Sequence, residues 1–193
     1  VGERWDARRE QIFSVGARLF AEKGYERTSL QEVADLLGVT KPALYYYFSS
    51  KEQLLFEIMS FVMDRVLTDI SEVAESDVLP YQRLREFVRR YVGFFAAHPN
   101  EHTIMSTEVD SLGPELRGIV QDRQRLYLTQ VRRIVSELVA PEKQLDETSV
   151  AFALIGGMNW LFKWYDPDGR ITPEKLVEDF VRIYAYGLLG NGR

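Results

Sequence analysis

The chain has 193 residues, 46% hydrophobic and 27% charged, a balance that supports a real core and excludes intrinsic disorder. The absence of cysteine excludes disulfides, thiolate metal sites, iron–sulfur clusters and cysteine nucleophiles together. The formal charge of −5 is unevenly spread: residues 1–53 hold eight Lys/Arg and eight Asp/Glu, so the whole acidic excess lies in 54–193.

In chain order, residues 7–23 set Ile12, Val15, Leu19 and Phe20 on one helical stripe, with Gly24 at the stop position. Thr28 and Ser29 then precede Gln31 and Glu32 at capping-box spacing, and Leu30, Val33, Ala34 and Leu37 predict a short helix ending at Gly38. Thr40 as N-cap and Pro42 in the first turn start a third helix running to about Phe48. Ser49 or Ser50 starts the next, with Glu52 in its first turn. Further helical patterns cover 51–74, 81–97, 101–110, 114–139, 146–165 and 173–189, punctuated at Asp77–Pro80, His98–Asn100, Gly113–Pro114, Ala140–Pro141 and Asp166–Gly169. No two-residue alternation is sustained, so an all-α fold of about nine helices is expected. It divides into a small unit, residues 1–50, and a larger helical domain, residues 51–193, joined through a shared helix rather than a linker. No run has the apolar length of a membrane span, and no signal-peptide pattern opens the given residues. A cytoplasmic protein with no membrane partner is therefore expected.

Residues 29–48 have helix-turn-helix spacing, two short helices about a tight Gly38–Val39 turn. Between residues 36 and 51 stand Lys41 and Lys51 and no acid, a local positive face on an acidic body. Tyr45, Tyr46 and Tyr47 are consecutive, and at 100° per residue they cannot all be buried on so short a helix. Core packing accounts for Phe48 and one tyrosine; an outward phenol suits a phosphate or a thymine methyl.

The stretch ARLFAEKGYERTSLQEVADLLGVTKPALYYYFSSKEQLL, residues 17–55, closely resembles the amino-terminal DNA-binding domain of the TetR family of transcriptional regulators. The resemblance implies a homodimeric repressor on a near-palindromic DNA operator, released by a small hydrophobic effector, with the last two helices as dimer interface. It places Thr28 on a phosphate at the mouth of the second helix, and Thr40, Lys41 and Ala43 at the start of the recognition helix in the major groove. Tyr45 would touch base edges, with Tyr46, Tyr47 and Lys51 on phosphates. The recognition helix has no Arg, Asn or Gln, so DNA shape and van der Waals contact would carry much of the specificity.

The larger domain is rich in aromatic and methionine side chains, from which Phe94, Met105, Tyr127, Phe152, Asn159, Trp160 and Trp164 are taken as effector-pocket candidates. Gly156-Gly157 in mid-helix suggests close backbone packing or room for a ligand. Residues 156–180 resemble the corresponding segment of TetR regulators of lipid and acyl-CoA catabolism, which implies an acyl-CoA effector and no other cofactor. A fatty acid, an aromatic compound or a drug would suit the same side chains. Arg89, Arg90, Arg123, Arg125, Arg132 and Arg133 are candidates for the phosphate end of a CoA thioester, and most read as a solvated face. A remote alternative is a metal-dependent helical enzyme, since His98, Glu101 and His102 match H-x-x-E-H. Pro99-Asn100 at a helix break spoils that geometry, so neither catalytic residues nor a metal site are expected.

Overall fold

A computed structural model describes residues 2–139, 144–166 and 168–188, with side chains from 8 to 187 over the same segments. The expected break at Ala140–Pro141, residue 167 and the side chain of Leu188 lie outside the described residues. Among the described residues there is no strand. The helices are α1 (Gly2–Lys23), α2 (Leu30–Leu37), α3 (Lys41–Tyr45), α4 (Lys51–Glu75), α5 (Pro80–Ala97), α6 (Pro99–Thr107), α7 (Pro114–Ser136), α8 (Glu147–Asn159), α9 (Leu161–Trp164) and α10 (Pro173–Leu188). A 3-10 turn at Val109–Ser111 joins α6 to α7.

Local chemistry sets the first boundaries. Gly24, at φ +87°, ends α1 by donating its N–H to the Phe20 carbonyl at 2.9 Å. Ser29 caps α2 reciprocally with Glu32, whose carboxylate also meets Lys23 at 2.6 Å. These partners hold the Glu32 carboxyl down at about 2. Gly38, left-handed at φ +64°, closes α2 and starts the turn. Of the two candidate caps for the next long helix, Ser50 is the one used, its Oγ accepting the Gln53 N–H at 3.0 Å.

Three boundaries differ from the sequence reading. Helix α3 ends at Tyr45 rather than Phe48, because Phe48 is drawn into the core and the chain turns through Tyr46 and Tyr47 to reach the next cap. The 101–110 pattern becomes α6 plus the 3-10 turn, and 146–165 breaks at Trp160, whose ψ of −5° lies off the helical value. The break follows Gly156-Gly157, the weakest helix formers of that stretch.

Two compact units result. One takes the chain up to Met63 together with Pro99–Asp122; the other takes Asp64–His98 and the chain from Arg123 onward. In the first, Phe20, Leu44, Phe48, Leu54, Leu55 and Ile58 share one core with Ile104, Leu112 and Val120. There α6 packs on α1, and the Gly113 N–H donates to Glu52 Oε1 at 2.7 Å. A Cβ at residue 113 would stand 2.9 Å from that oxygen, so glycine is what the contact needs. In the second unit α5 and α10 pack closely around Leu84, Val88, Leu154, Leu161 and Val181, all buried. Gly157 serves this packing: a Cβ there would meet Phe180 and the Tyr184 hydroxyl at 3.4 Å.

Candidate nucleic-acid interface and ligand cleft

The inner face of the helix-turn-helix is Leu30, Val33, Ala34 and Leu44, all buried, with Leu37 and Val39 partly so. What this core does not use is the leading edge of α3. Thr40, Lys41, Pro42 and Ala43 are exposed, and Thr40 caps the helix through its backbone, without a side-chain hydrogen bond. The tyrosine run splits between surface and core. Tyr46 is 74% exposed and Tyr45 48%, while Tyr47 is half-buried beside Phe48. Tyr46 stands edge-on to Tyr47 at 5.5 Å, and Lys41 Nζ lies 5.9 Å from the Tyr45 ring. One short helix and its two ends therefore offer a hydroxyl, an ammonium and two phenols on a stretch of chain without acid, chemistry suited to phosphate oxygens and base edges.

Two of the expected phosphate contacts are engaged inside the protein. Thr28 is buried, its hydroxyl donating to the carbonyls of Gly24 at 3.0 Å and Leu19 at 3.3 Å. Lys51 Nζ donates to the carbonyls of Tyr25 at 3.0 Å and Glu26 at 3.5 Å, and lies 4.1 Å from the Tyr25 ring centroid. Burial and the neighbouring carboxylates push the Tyr25 phenol up to about 12, so it stays neutral beneath the ammonium.

In the second unit a cleft lies among α4, α5 and α7, lined by Val66, Asp69, Ile70, Val73, Phe87, Arg90, Tyr91, Phe94 and Tyr127. Its empty volume is about 260 Å³, counted out to its open mouth. Tyr91 donates its hydroxyl to Asn159 Oδ1 at 2.6 Å, and burial raises both the Tyr91 and Tyr127 phenols well above their ordinary range. At the rim, Arg90 meets Glu72 at 2.6 Å, Glu86 at 2.8 Å and Asp69 at 3.6 Å. Arg89 and Arg90 together hold the Glu86 carboxyl down at about 2.

Residues 12–58 match the family model described as bacterial regulatory proteins, tetR family. Residues 77–188, more than half of the chain, match the tetracyclin repressor-like C-terminal domain. The chain belongs to the TetR family. It is a repressor-like, DNA-binding transcriptional regulator and not an enzyme. Among curated relatives, the transcriptional activator FasR of Mycolicibacterium smegmatis is 32% identical, over 96% of this chain and 84% of its own. The transcriptional repressor KstR2 of Mycobacterium tuberculosis is 22% identical, over all of this chain and 98% of its own. Among solved structures, AibR in complex with isovaleryl coenzyme A and operator DNA superposes with a TM-score of 0.80. It is 32% identical and covers 91% of this chain and 97% of its own. A TetR-family regulator from Bordetella parapertussis gives 0.86 at 27% identity, over 94% of this chain and 97% of its own.

Within this TetR chain the seven pocket candidates fall in different places. Phe94 and Tyr127 line the cleft, and Asn159 receives the hydrogen bond from its wall. Met105 packs against the core of the first unit. Phe152, Trp160 and Trp164 are exposed, outside the cleft lining. Arg90, a candidate for the phosphate end, stands in the wall; the wall residues that sequence reasoning missed, Val66, Asp69, Ile70 and Val73 on α4 and Phe87 and Tyr91 on α5, recur at helical spacing, the signal a core stripe also gives. Arg89 and Arg123 are paired with Glu86 and Asp64, at 2.6 and 3.1 Å, and Arg125, Arg132 and Arg133 are exposed. His98 ends α5 and packs on Phe94 at 4.8 Å, whereas His102 is buried on α6. Among the described residues no cluster of His, Asp and Glu is arranged to hold a metal ion, and no helix is long and apolar enough to cross a membrane.

Proposed function

We propose that this regulator binds a near-palindromic operator as a homodimer and is released from it by a hydrophobic effector, an acyl-CoA thioester. The observation that carries the DNA half is the exposure of Thr40, Lys41, Tyr45 and Tyr46, on α3 and at its two ends, in a stretch of chain that holds no acid. Two such edges on a symmetric dimer would have to stand one turn of DNA apart, about 34–36 Å, or a multiple of it.

The dimer reading rests on an apolar surface of the second unit. Phe152 and Gly156, four residues apart on α8, and Trp160 just past its end are all exposed; Ile183, Tyr186 and Gly187, at i, i+3 and i+4 on α10, are exposed too. Ile183 is 67% exposed, a costly placement for an aliphatic side chain in water. A Cβ at Gly156 or Gly187 would meet nothing, so each glycine leaves room for a partner helix.

The effector reading rests on the α4–α5–α7 cleft and on AibR, the similar protein whose complex holds isovaleryl coenzyme A. The cleft gives such a ligand a way to act. Val66, Ile70 and Val73 of its wall lie on α4, and the first turns of that same helix put Leu54, Leu55 and Ile58 into the core of the helix-turn-helix unit. On this reading, a ligand that displaces the wall acts on a helix whose first turns share a core with Leu44 of the recognition helix, and so changes the spacing of the two DNA-reading edges.

The test is a mobility shift on the DNA upstream of the protein's own gene, titrated with acyl-CoA thioesters and the matching free acids. A specific shift reversed by a thioester and not by its acid supports the reading. A specific shift that no thioester reverses removes the effector class, and failure to select any DNA site from a random pool removes the regulator.

A further inference from the structure

One residue in the wall of the second unit's cleft carries a polar group to which the fold gives no partner. Tyr127 forms part of the wall, its ring centroid 6.3 Å from that of Phe87. Its hydroxyl is buried and has no hydrogen-bond partner among the described residues. The other phenol of the wall, Tyr91, differs: its hydroxyl is spent on Asn159. Folded proteins retain few buried hydroxyls without a partner, because a group stripped of water and given nothing in return is costly, and the exceptions tend to mark binding sites or bound water.

The surrounding charge limits what the partner can be. Among the described residues Arg90 is the only cation of the lining, and it already faces Glu72, Glu86 and Asp69. Asp69 is itself part of the wall and also pairs with Arg65 at 3.5 Å. A carboxylate entering this cleft would find no uncommitted counter-ion and would meet a carboxylate at the rim, with the desolvation of its charge uncompensated. A neutral carbonyl pays no such penalty and accepts one hydrogen bond, which is what a lone phenol gives.

From the orphaned hydroxyl and the committed arginine we infer that Tyr127 is the specificity-determining donor of the cleft, holding the neutral carbonyl oxygen of an acyl thioester and so selecting thioesters over free acids. This rests on the effector reading above and sharpens it. The Tyr127 O–H donates to the acyl carbonyl; the alkyl chain lies against Val66, Ile70, Val73 and Phe87; the nucleotide end stays outside the cleft. The closed part of the cleft is small, so entry of the chain must push the α4 side chains apart, the displacement that release of DNA requires.

The experiment measures binding by isothermal titration calorimetry of S-hexanoyl-N-acetylcysteamine, a neutral thioester without a nucleotide, and of hexanoate, to the wild type and to Tyr127→Phe. Thermal melts of both proteins without ligand accompany it. The wild type should bind the thioester at least about tenfold more tightly than hexanoate, and Tyr127→Phe should weaken thioester binding about tenfold. Hexanoate binding should be unchanged by the substitution. The ligand-free variant should melt no lower than the wild type, since it loses an unsatisfied hydroxyl and no hydrogen bond. Equal thioester binding by the two proteins, a preference for hexanoate, or a lowered melting temperature would each overturn the assignment of Tyr127. If the small thioester fails to bind while full acyl-CoA still releases operator DNA, this use of the cleft is wrong and the effector reading stands. If neither acts, both fall.

Discussion

Replacing Lys51 separates two roles that one lysine can play at the start of α4. A lysine serving only as a phosphate ligand would leave protein stability unchanged when its charge is removed. Here its ammonium donates to the carbonyls of Tyr25 and Glu26, 3.0 and 3.5 Å away, and sits 4.1 Å from the centre of the Tyr25 ring. A hydrogen bond from a charged donor contributes about 1.5 kcal/mol at the lower end of its range. The cation–π contact adds about 0.5 kcal/mol at a partly exposed site. Lys51→Met keeps the aliphatic stem and loses both, so about 2 kcal/mol of stability should go with it. For a chain of this size that lowers the melting temperature by about 4–8 °C. Thermal unfolding followed by circular dichroism reads the effect without DNA. A Met variant melting within about 1 °C of the wild type would refute the clamp. If Lys51 also contacts a phosphate, the salt dependence of operator binding falls by about one further ion released.

Thr28→Val removes a buried hydroxyl that donates to Gly24 and Leu19, and should cost about 1–2 kcal/mol in urea unfolding with little change in DNA affinity well below the melt; the opposite pattern would restore Thr28 as a phosphate contact. Burial holds the His102 imidazole at about 4, against about 6.5 for a free histidine. Between those values the unfolded chain takes up a proton that the folded one refuses, so this stability is complete above about pH 6.5 and is lost as pH falls through about 4. The loss is about 3 kcal/mol. Urea midpoints from pH 8 to 4 should show it, and His102→Leu should flatten that stretch; an unchanged profile in the variant contradicts the assignment. Ile183→Asp puts a charge in the centre of the proposed dimer face, and sedimentation should find a folded monomer; an intact dimer would move the interface elsewhere.

The amino-terminal helices were legible because their signals are local. Glycines at 24 and 38, serines at 29 and 50 and the spacing of Leu30, Val33, Ala34 and Leu44 act within a few residues of themselves. Helical angle showed that the three tyrosines could not all be buried; which of them is half-buried depends on the turn after Tyr45. Thr28 and Ser29 show where such reasoning stops. Both have capping-box spacing, and what decides between them is that Thr28 turns toward the end of α1, nine residues back, where carbonyls await its hydroxyl. Lys51 reads as a free charge because the carbonyls that hold it are 25 and 26 residues earlier.

Apart from Phe94 and Tyr127, the cleft was illegible for a different reason. Val66, Asp69, Ile70 and Val73 on one helix, and Phe87, Arg90, Tyr91 and Phe94 on the next, follow the same i, i+3, i+4, i+7 rule that makes a core stripe. Period alone does not separate a face that closes on its neighbour from one that leaves a gap. Nor does it separate an aromatic kept for the interior from one kept for a partner, and so Phe152, Trp160 and Trp164 were read as pocket when they lie on the surface. Residues 99–122 carry no mark in the sequence of which core they join. It is Ile104, Leu112 and Val120, packed among the residues of α1 to α4, that tie them to the helix-turn-helix unit.

The central claim is that the leading edge of α3 exists to read DNA and is not needed by the fold. Its most direct test is fluorescence anisotropy of a selected operator with wild type and with a Lys41→Ala, Tyr46→Ala double variant, each also followed through a thermal melt. The account predicts unchanged melting and operator affinity weaker by about tenfold or more, with a shallower salt dependence. Unchanged affinity in a folded double variant would contradict it.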